Sequence, residues 1–76
     1  MEEFLRYVIS AVVEYPDDVV FTKTETPERV IFHVAMRQSD IPRVIGKGGH
    51  TIQALRTLLD ASASKRGLHA ALEIVE

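Results

Sequence analysis

The chain contains no cysteine and no tryptophan, and it has only three phenylalanines and two tyrosines among its 76 residues. Without cysteine, disulfide bonds, thiolate metal sites and thiol nucleophiles are all excluded. The absence also fits a reducing cytosol. His33, His50 and His69 share no metal-ligand spacing. We therefore expect no metal site and no other cofactor.

Long apolar runs and a basic N-terminus are missing as well. No apolar stretch approaches the roughly 20 residues that span a bilayer. The chain begins with Met1, Glu2 and Glu3, which are acidic where a secretion signal is basic. We expect a soluble, unprocessed, cytoplasmic protein with no membrane association. Its length leaves room for one domain over residues 1–76, with a modest core.

The net charge of −2 is distributed unevenly along the chain. Residues 1–36 hold three basic and seven acidic side chains, for a net charge of −4. Residues 37–69 hold six basic and two acidic side chains, for a net charge of +4. A basic segment inside an acidic protein is typical of a local phosphate site. The alternative is an ordinary surface of mixed charge, and the charge pattern alone does not separate the two.

Hydrophobic periodicity divides the chain into helices and strands. The predicted elements are a helix over 2–15, strands over 19–24 and 29–36, a short helix ending at 45, a helix over 50–66 and a strand over 69–75. Ser39 or Asp40 is expected to cap the short helix, with Pro42 tolerated in its first turn. The long helix is expected to bury Ile52, Leu55, Leu58 and Leu59. This order predicts an α+β fold, a three-stranded sheet with helices packed on one face.

A glycine-rich loop, Gly46-Lys47-Gly48-Gly49, joins the two neighbouring helices. Glycine permits positive φ and lets another backbone approach without a Cβ in the way. The N–H groups at the start of the following helix lack intrahelical partners and carry partial positive charge, which suits a phosphate. With Lys47 at its tip, the loop is suited to clamping a phosphate backbone. A tight turn that merely requires glycine is the structural alternative.

Two other glycine motifs fail on spacing. A P-loop needs Ser or Thr after its Gly-Lys pair, whereas Gly48 follows Lys47. A dinucleotide fingerprint needs a glycine where Thr51 stands, and it follows a strand rather than a helix. Aromatic residues are absent from the basic segment, which argues against modules that stack bases on exposed rings.

The residues around the loop complete a more specific pattern. Val44, Ile45, Gly46, Gly49 and Ile52 stand as Val-Ile-Gly-x-x-Gly-x-x-Ile. This resembles the signature of the KH domain, and the element order α-β-β-α-α-β resembles its type II arrangement. The resemblance covers the whole chain. The length of the chain is similar to that of the KhpA-like proteins, small bacterial RNA-binding proteins with a single KH domain.

The resemblance implies that the loop clamps about four nucleotides of single-stranded RNA beside a groove where bases are read. By position, two glycines frame the clamp, Lys47 and Gly48 face the phosphates, and the isoleucines lie at the base of the groove or in the core. The implied RNA-binding residues are Arg43, Ile45, Gly46, Lys47, Gly48, Gly49, His50 and Ile52. For Arg56 on the long helix, a solvated role is favoured over RNA contact.

These observations favour a non-enzymatic RNA-binding protein, an RNA chaperone or post-transcriptional regulator. No constellation of catalytic side chains is apparent. One clamp binds weakly, so we expect a homodimer or a heterodimer with another KH-containing protein, which gains avidity. The alternative is a protein-interaction module whose glycine loop packs against a partner KH protein.

Overall fold

The computed structural model describes residues 2–75, so Met1 and Glu76 of the predicted domain lie outside the described residues. Three α-helices and three strands follow the predicted order. They are α1 (Glu2–Val12), β1 (Val20–Glu25), β2 (Arg29–Ala35), α2 (Ile41–Ile45), α3 (His50–Ser64) and β3 (His69–Val75), with one-turn 3₁₀ helices at Pro16–Asp18, Gln38–Asp40 and Lys47–Gly49. No helix within residues 2–75 has the length and apolar character needed to cross a membrane.

The sheet is mixed, with the strand order β1-β2-β3. The strand β1 pairs with β2 antiparallel, through a hairpin in which the Thr26 N–H donates to Arg29 O at 2.8 Å. The strand β3 returns parallel to β2 after the two-helix crossover. One face of β2 is buried against the helices through Val30, Phe32 and Val34, as the alternation predicted. The α+β class and the helices on one face are confirmed.

Two helix predictions need correction. The first helix ends at Val12 rather than at residue 15, and the third ends at Ser64 rather than at residue 66. Leu58 was expected in the core but its side chain is 53% exposed, whereas Ile52, Leu55 and Leu59 are buried. At about 100° per residue, Leu58 falls on the flank of the helix rather than on the stripe that faces the sheet.

A buried carboxylate explains why α1 ends early. Asp40 is 0% exposed, and its two oxygens accept hydrogen bonds from the backbone N–H groups of Glu14 (2.9 Å) and Tyr15 (3.0 Å). These amides follow the last turn of α1, and Pro16 prevents the helix from continuing. Asp40 occupies the N-cap position of α2 but makes no side-chain cap there, so its predicted capping role is wrong. Neither does Ser39 supply one.

The junction between α2 and α3 is sterically tight at its first glycine. Gly46 has φ of +78°, and a Cβ built on it would lie 2.8 Å from Thr51 Cβ and 3.0 Å from Thr51 N. Real Cβ atoms essentially never approach so closely, so only glycine fits here. Gly49 also has φ of +78°, but a Cβ there would meet open space. The two framing glycines are therefore required for different reasons.

Replacing Asp40 with alanine is expected to lower the free energy of unfolding by about 3 kcal/mol, because two backbone N–H groups lose a charged acceptor and the buried carboxylate leaves a gap. Urea denaturation followed by circular dichroism measures the change. The matched control is Asp17→Ala, at an exposed position in the neighbouring turn, with an expected effect within about 0.5 kcal/mol. Equal losses in the two variants would contradict the role assigned to Asp40.

Gly46→Ala is expected to destabilise the fold more than Gly49→Ala. Both substitutions place alanine at positive φ, at a cost of roughly 1–3 kcal/mol, and only the first adds a clash with Thr51. The order of the two thermal midpoints tests this expectation. A Gly49 variant that is less stable than the Gly46 variant would contradict it.

Candidate nucleic-acid interface

The glycine loop presents backbone donors at the start of a one-turn helix, Lys47–Gly49. The Gly46 N–H donates to Pro42 O (2.9 Å), and the Gly49 N–H donates to Gly46 O (3.1 Å). Lys47 and Gly48 are the first two residues of that one-turn helix, and N–H groups at such positions have no partner within their own helix. Both residues are exposed, and Gly48 has φ of +64°. Two adjacent amides at the start of an exposed helical turn suit an anion.

Lys47 adds a cation to the same position. Its side chain is exposed, and it forms no ion pair with any carboxylate of residues 2–75. Its charge is therefore available to an anion at the loop. An ammonium on a flexible stem suits contact with a phosphate as a point charge.

Two other cations of the basic segment, Arg37 and Arg43, are paired with carboxylates. Arg37 hydrogen-bonds Asp18, which raises the pKa of the arginine, and its guanidinium also stacks 4.0 Å from the ring centroid of Tyr15. Arg43 lies 3.5 Å from Glu14 Oε2 and 3.7 Å from Asp40 Oδ1. The fold thus offsets part of the positive charge that the sequence concentrates in residues 37–69.

The remaining predicted site residues surround the loop. His50 begins α3, and its imidazole would lie 3.6 Å from a Cβ built on Gly48. Ile52 is buried in the core, and Ile45 is partly buried against it. The two isoleucines therefore support the loop from below, while Lys47, Gly48 and His50 form its exposed surface.

Two surfaces that the sequence analysis did not predict flank α3. An apolar α1–α3 groove lies beside the loop and is lined by Phe4, Val8, His50, Thr51, Ala54, Leu55 and Leu58. On the other flank, the α3–β3 cleft is lined by Gln53, Arg56, Thr57 and Asp60 of α3 and by residues of β3. The sequence did contain a signal for the first surface, the apolar residue Leu58 at the edge of the helical stripe, but it was assigned to the core. The second depends on a long-range contact that periodicity does not reveal.

Arg56 illustrates that contact. Its Nε and Nη2 atoms both donate to the Leu72 carbonyl oxygen, at 3.3 and 3.2 Å. Arg56 is exposed, as expected for the solvated helix face that the sequence favoured, and it is also tied to the edge strand. Arg56 thus connects α3 to β3 at the wall of the cleft.

Comparison with known proteins gives consistent results. The family model of the KhpA/KhpB KH domain matches residues 2–74. The chain is 38% identical to the RNA-binding protein KhpA of Chlamydia pneumoniae, over 100% of this chain and 97% of that protein. It is 38% identical to the KhpA of Listeria monocytogenes over the full length of both, and 31% identical to that of Oceanobacillus iheyensis over 99% of this chain and 100% of the relative.

No solved structure gave a significant match to the chain. The family assignment accordingly rests on the whole-length sequence matches and on the fold described above. The observed order α-β-β-α-α-β and the loop at Gly46–Gly49 agree with the resemblance inferred from the motif. The chain belongs to the KhpA/KhpB family of KH domains.

Proposed function

We propose that this protein binds single-stranded RNA by clamping the phosphate backbone at the loop Gly46–Gly49. The observation that carries the proposal is the pair of amides at Lys47 and Gly48, which begin a helical turn on the surface next to a lysine ammonium that forms no ion pair with residues 2–75. Amide donors and a cation at one exposed turn stabilise a phosphate without reading a base. The names of the relatives, RNA-binding protein KhpA, support the choice of RNA.

The proposed binding residues are those that the motif implied, and we divide them into residues that contact phosphate and residues that support the loop. Lys47, Gly48 and the neighbouring loop glycines contact the phosphates, and His50 lies next to them at the rim. Ile45 and Ile52 hold the loop from the core. Arg43 reaches RNA only by leaving Glu14 and Asp40, so we assign it a secondary role.

The proposal describes one KH unit that acts in the cytoplasm without catalysis, as an RNA chaperone or post-transcriptional regulator. Backbone contacts carry no sequence information by themselves. A clamp of about four nucleotides fits a protein that binds many RNAs weakly better than one that selects a single target. Weak, general binding is the property that a chaperone role requires.

The clamp is tested by titrating labelled single-stranded RNA into the protein at several salt concentrations. The double variant Lys47→Asp/Gly48→Asp is expected to lose binding by at least about tenfold, because it places carboxylates where the phosphates lie. The wild-type slope of log K against log salt should be near −0.7 for each phosphate neutralised. Gly48 lies in the left-handed region, which aspartate enters more readily than most residues, so the variant should fold.

The matched control is Ser64→Asp/Lys65→Asp, which makes the same change of charge at the exposed end of α3, away from the loop. It should bind RNA more tightly than the loop variant. If both variants lost the same RNA affinity, the effect would depend on net charge alone, which would contradict the clamp. Binding that survives in the folded loop variant would favour the alternative of a protein-interaction loop.

We further propose that two copies of the chain pair through the α1–α3 groove. Phe4 (44% exposed) and Leu58 (53% exposed) project beside a groove floored by Val8 and Leu55. An isologous two-fold interface is self-complementary, so one patch must contain both projecting side chains and a recess that receives them. Pairing would bring two weak clamps onto one RNA and raise avidity through effective concentration.

Leu58→Asp is expected to weaken dimerisation by at least about tenfold, because an unpaired carboxylate would enter an apolar interface. Sedimentation equilibrium measures the change. Thr57→Asp is the control, since it puts the same charge on the opposite flank of α3. A wild-type protein that is monomeric at high micromolar concentration would refute self-pairing and leave another KH-containing protein as the occupant to be tested.

A further inference from the structure

His50 belongs to two surfaces at once, because it stands where the glycine loop ends and α3 begins. Its imidazole lies beside the loop, and the Cδ2 and Nε2 atoms would each be 3.6 Å from a Cβ built on Gly48. The same residue lines the α1–α3 groove, at the end where α3 begins. His50 is exposed to water. A ligand at the loop and a partner in the groove therefore meet the same imidazole.

The groove side of His50 is mostly apolar. The groove has a volume of about 370 Å³, and besides His50 its lining residues are Phe4, Val8, Thr51, Ala54, Leu55 and Leu58. Five of these six side chains are hydrocarbon, and Thr51 carries an uncharged hydroxyl. Among the lining residues that the structure describes, His50 alone has a side chain that titrates near neutral pH. A partner that fills the groove thus meets one group whose charge depends on pH.

The other ionisable groups around His50 lie on the loop and on α1. On the loop, Lys47 is the charged residue. On α1, Glu2 pairs with Arg6 at 3.3 Å and with Lys23 at 3.7 Å. The other ionisable side chains in the first two turns of α1 line a separate depression on that helix: Glu3, Arg6 and Tyr7. Within residues 2–75, His50 forms no ion pair with a carboxylate, so an anion at the loop would be its first.

Protonation of this imidazole has opposite effects on the two surfaces. Beside Gly48, an imidazolium adds a second cation to Lys47 at the proposed phosphate site. A cation at the first residue of a helix is unfavourable by itself, and a bound phosphate offsets that cost. In an apolar interface, an unpaired imidazolium costs far more to bury than the neutral ring does. The charged form therefore suits RNA at the loop, and the neutral form suits a partner in the groove.

We propose that His50 sets the balance between RNA binding at the loop and pairing of two copies of the chain through the groove. The inference rests on the proposed clamp and the proposed pairing, and it names how the two are regulated. Binding of a phosphate at the loop takes up a proton on the imidazole, and pairing through the groove releases one. By linkage, a fall in pH strengthens each clamp and weakens pairing. At higher pH two weaker clamps act together, and at lower pH a stronger clamp acts alone.

The first test measures the affinity of the full chain for a labelled oligouridine of about five nucleotides at pH 5.5, 6.5 and 8.0, at constant ionic strength. A probe of this length fills one clamp of about four nucleotides, so avidity does not enter. The probe carries no terminal phosphate, because the second ionisation of such a group lies near pH 6. We expect the affinity to be about fivefold higher at pH 5.5 than at pH 8.0.

Variants of the three histidines identify the group responsible. His50→Gln removes the change of charge, so its affinity for RNA should not vary over this pH range. His50→Lys carries a cation at every pH, so at pH 8.0 it should bind RNA about as tightly as the wild type does at pH 5.5. The matched controls are His33→Gln and His69→Gln, at positions on β2 and β3. Both should keep the pH dependence of the wild type.

The second test measures pairing of the same proteins by sedimentation equilibrium without RNA. Pairing of the wild type should be about tenfold weaker at pH 5.5 than at pH 8.0, because the imidazolium would enter the apolar groove. His50→Lys should pair weakly at every pH. His50→Gln should pair equally well at both ends of the range.

Four outcomes would overturn the inference, and they differ from one another. If RNA binds equally well at every pH, or if the pH dependence persists in His50→Gln, the role of His50 at the loop is wrong although the clamp stands. If pairing does not respond to pH, its role in the groove is wrong although pairing stands. If the wild type is monomeric at every pH, the proposed pairing fails and the inference fails with it. If no RNA binds even at pH 5.5, the clamp itself fails.

Discussion

The buried carboxylate of Asp40 is the constraint on which the arrangement around the loop depends. It accepts hydrogen bonds from the two amides that follow α1, and it stands at the first residue before α2. Because both oxygens of the buried side chain are used, separating the end of α1 from the start of α2 would break two hydrogen bonds to a charged acceptor. The short helix α2 has only five residues, too few to be stable alone, so this contact and its packing position it.

The same contact influences which charges are available to an anion. Arg43 lies between Asp40 and Glu14, and Arg37 is paired with Asp18, so both arginines bind acidic residues from elsewhere in the fold. Lys47 remains unpaired at the tip of the loop. At the loop, the attraction for a phosphate therefore comes from one ammonium and the two amides that begin the helical turn, with little from Arg37 and Arg43. A clamp with so few contacts has a shallow salt dependence.

Local sequence patterns predicted the elements, and long-range contacts account for what they missed. The alternation along β2 and the positions of the glycines are properties of neighbouring residues, so the strand face and the loop were predictable. The role of Asp40 was not, because its partners lie 25 and 26 residues away. Leu58 was misassigned because an apolar residue near a helical stripe can lie on its flank. The pairing of the arginines also depends on contacts between distant segments.

The helix α3 separates three surfaces by its periodicity alone. Ile52, Leu55, Leu59 and Ala63 face the core. Leu58 and Ala54 lie on the flank next to α1, and Arg56 and Asp60 lie on the flank next to β3. At about 100° per residue the two flanks point away from each other, so a chain bound in the apolar groove leaves the polar cleft open. Under the proposed assignments, a dimer forms on one side of α3 and leaves the other side open, and the groove meets the RNA-binding loop at His50. An arrangement in which both ligands used one flank would make pairing and RNA binding compete.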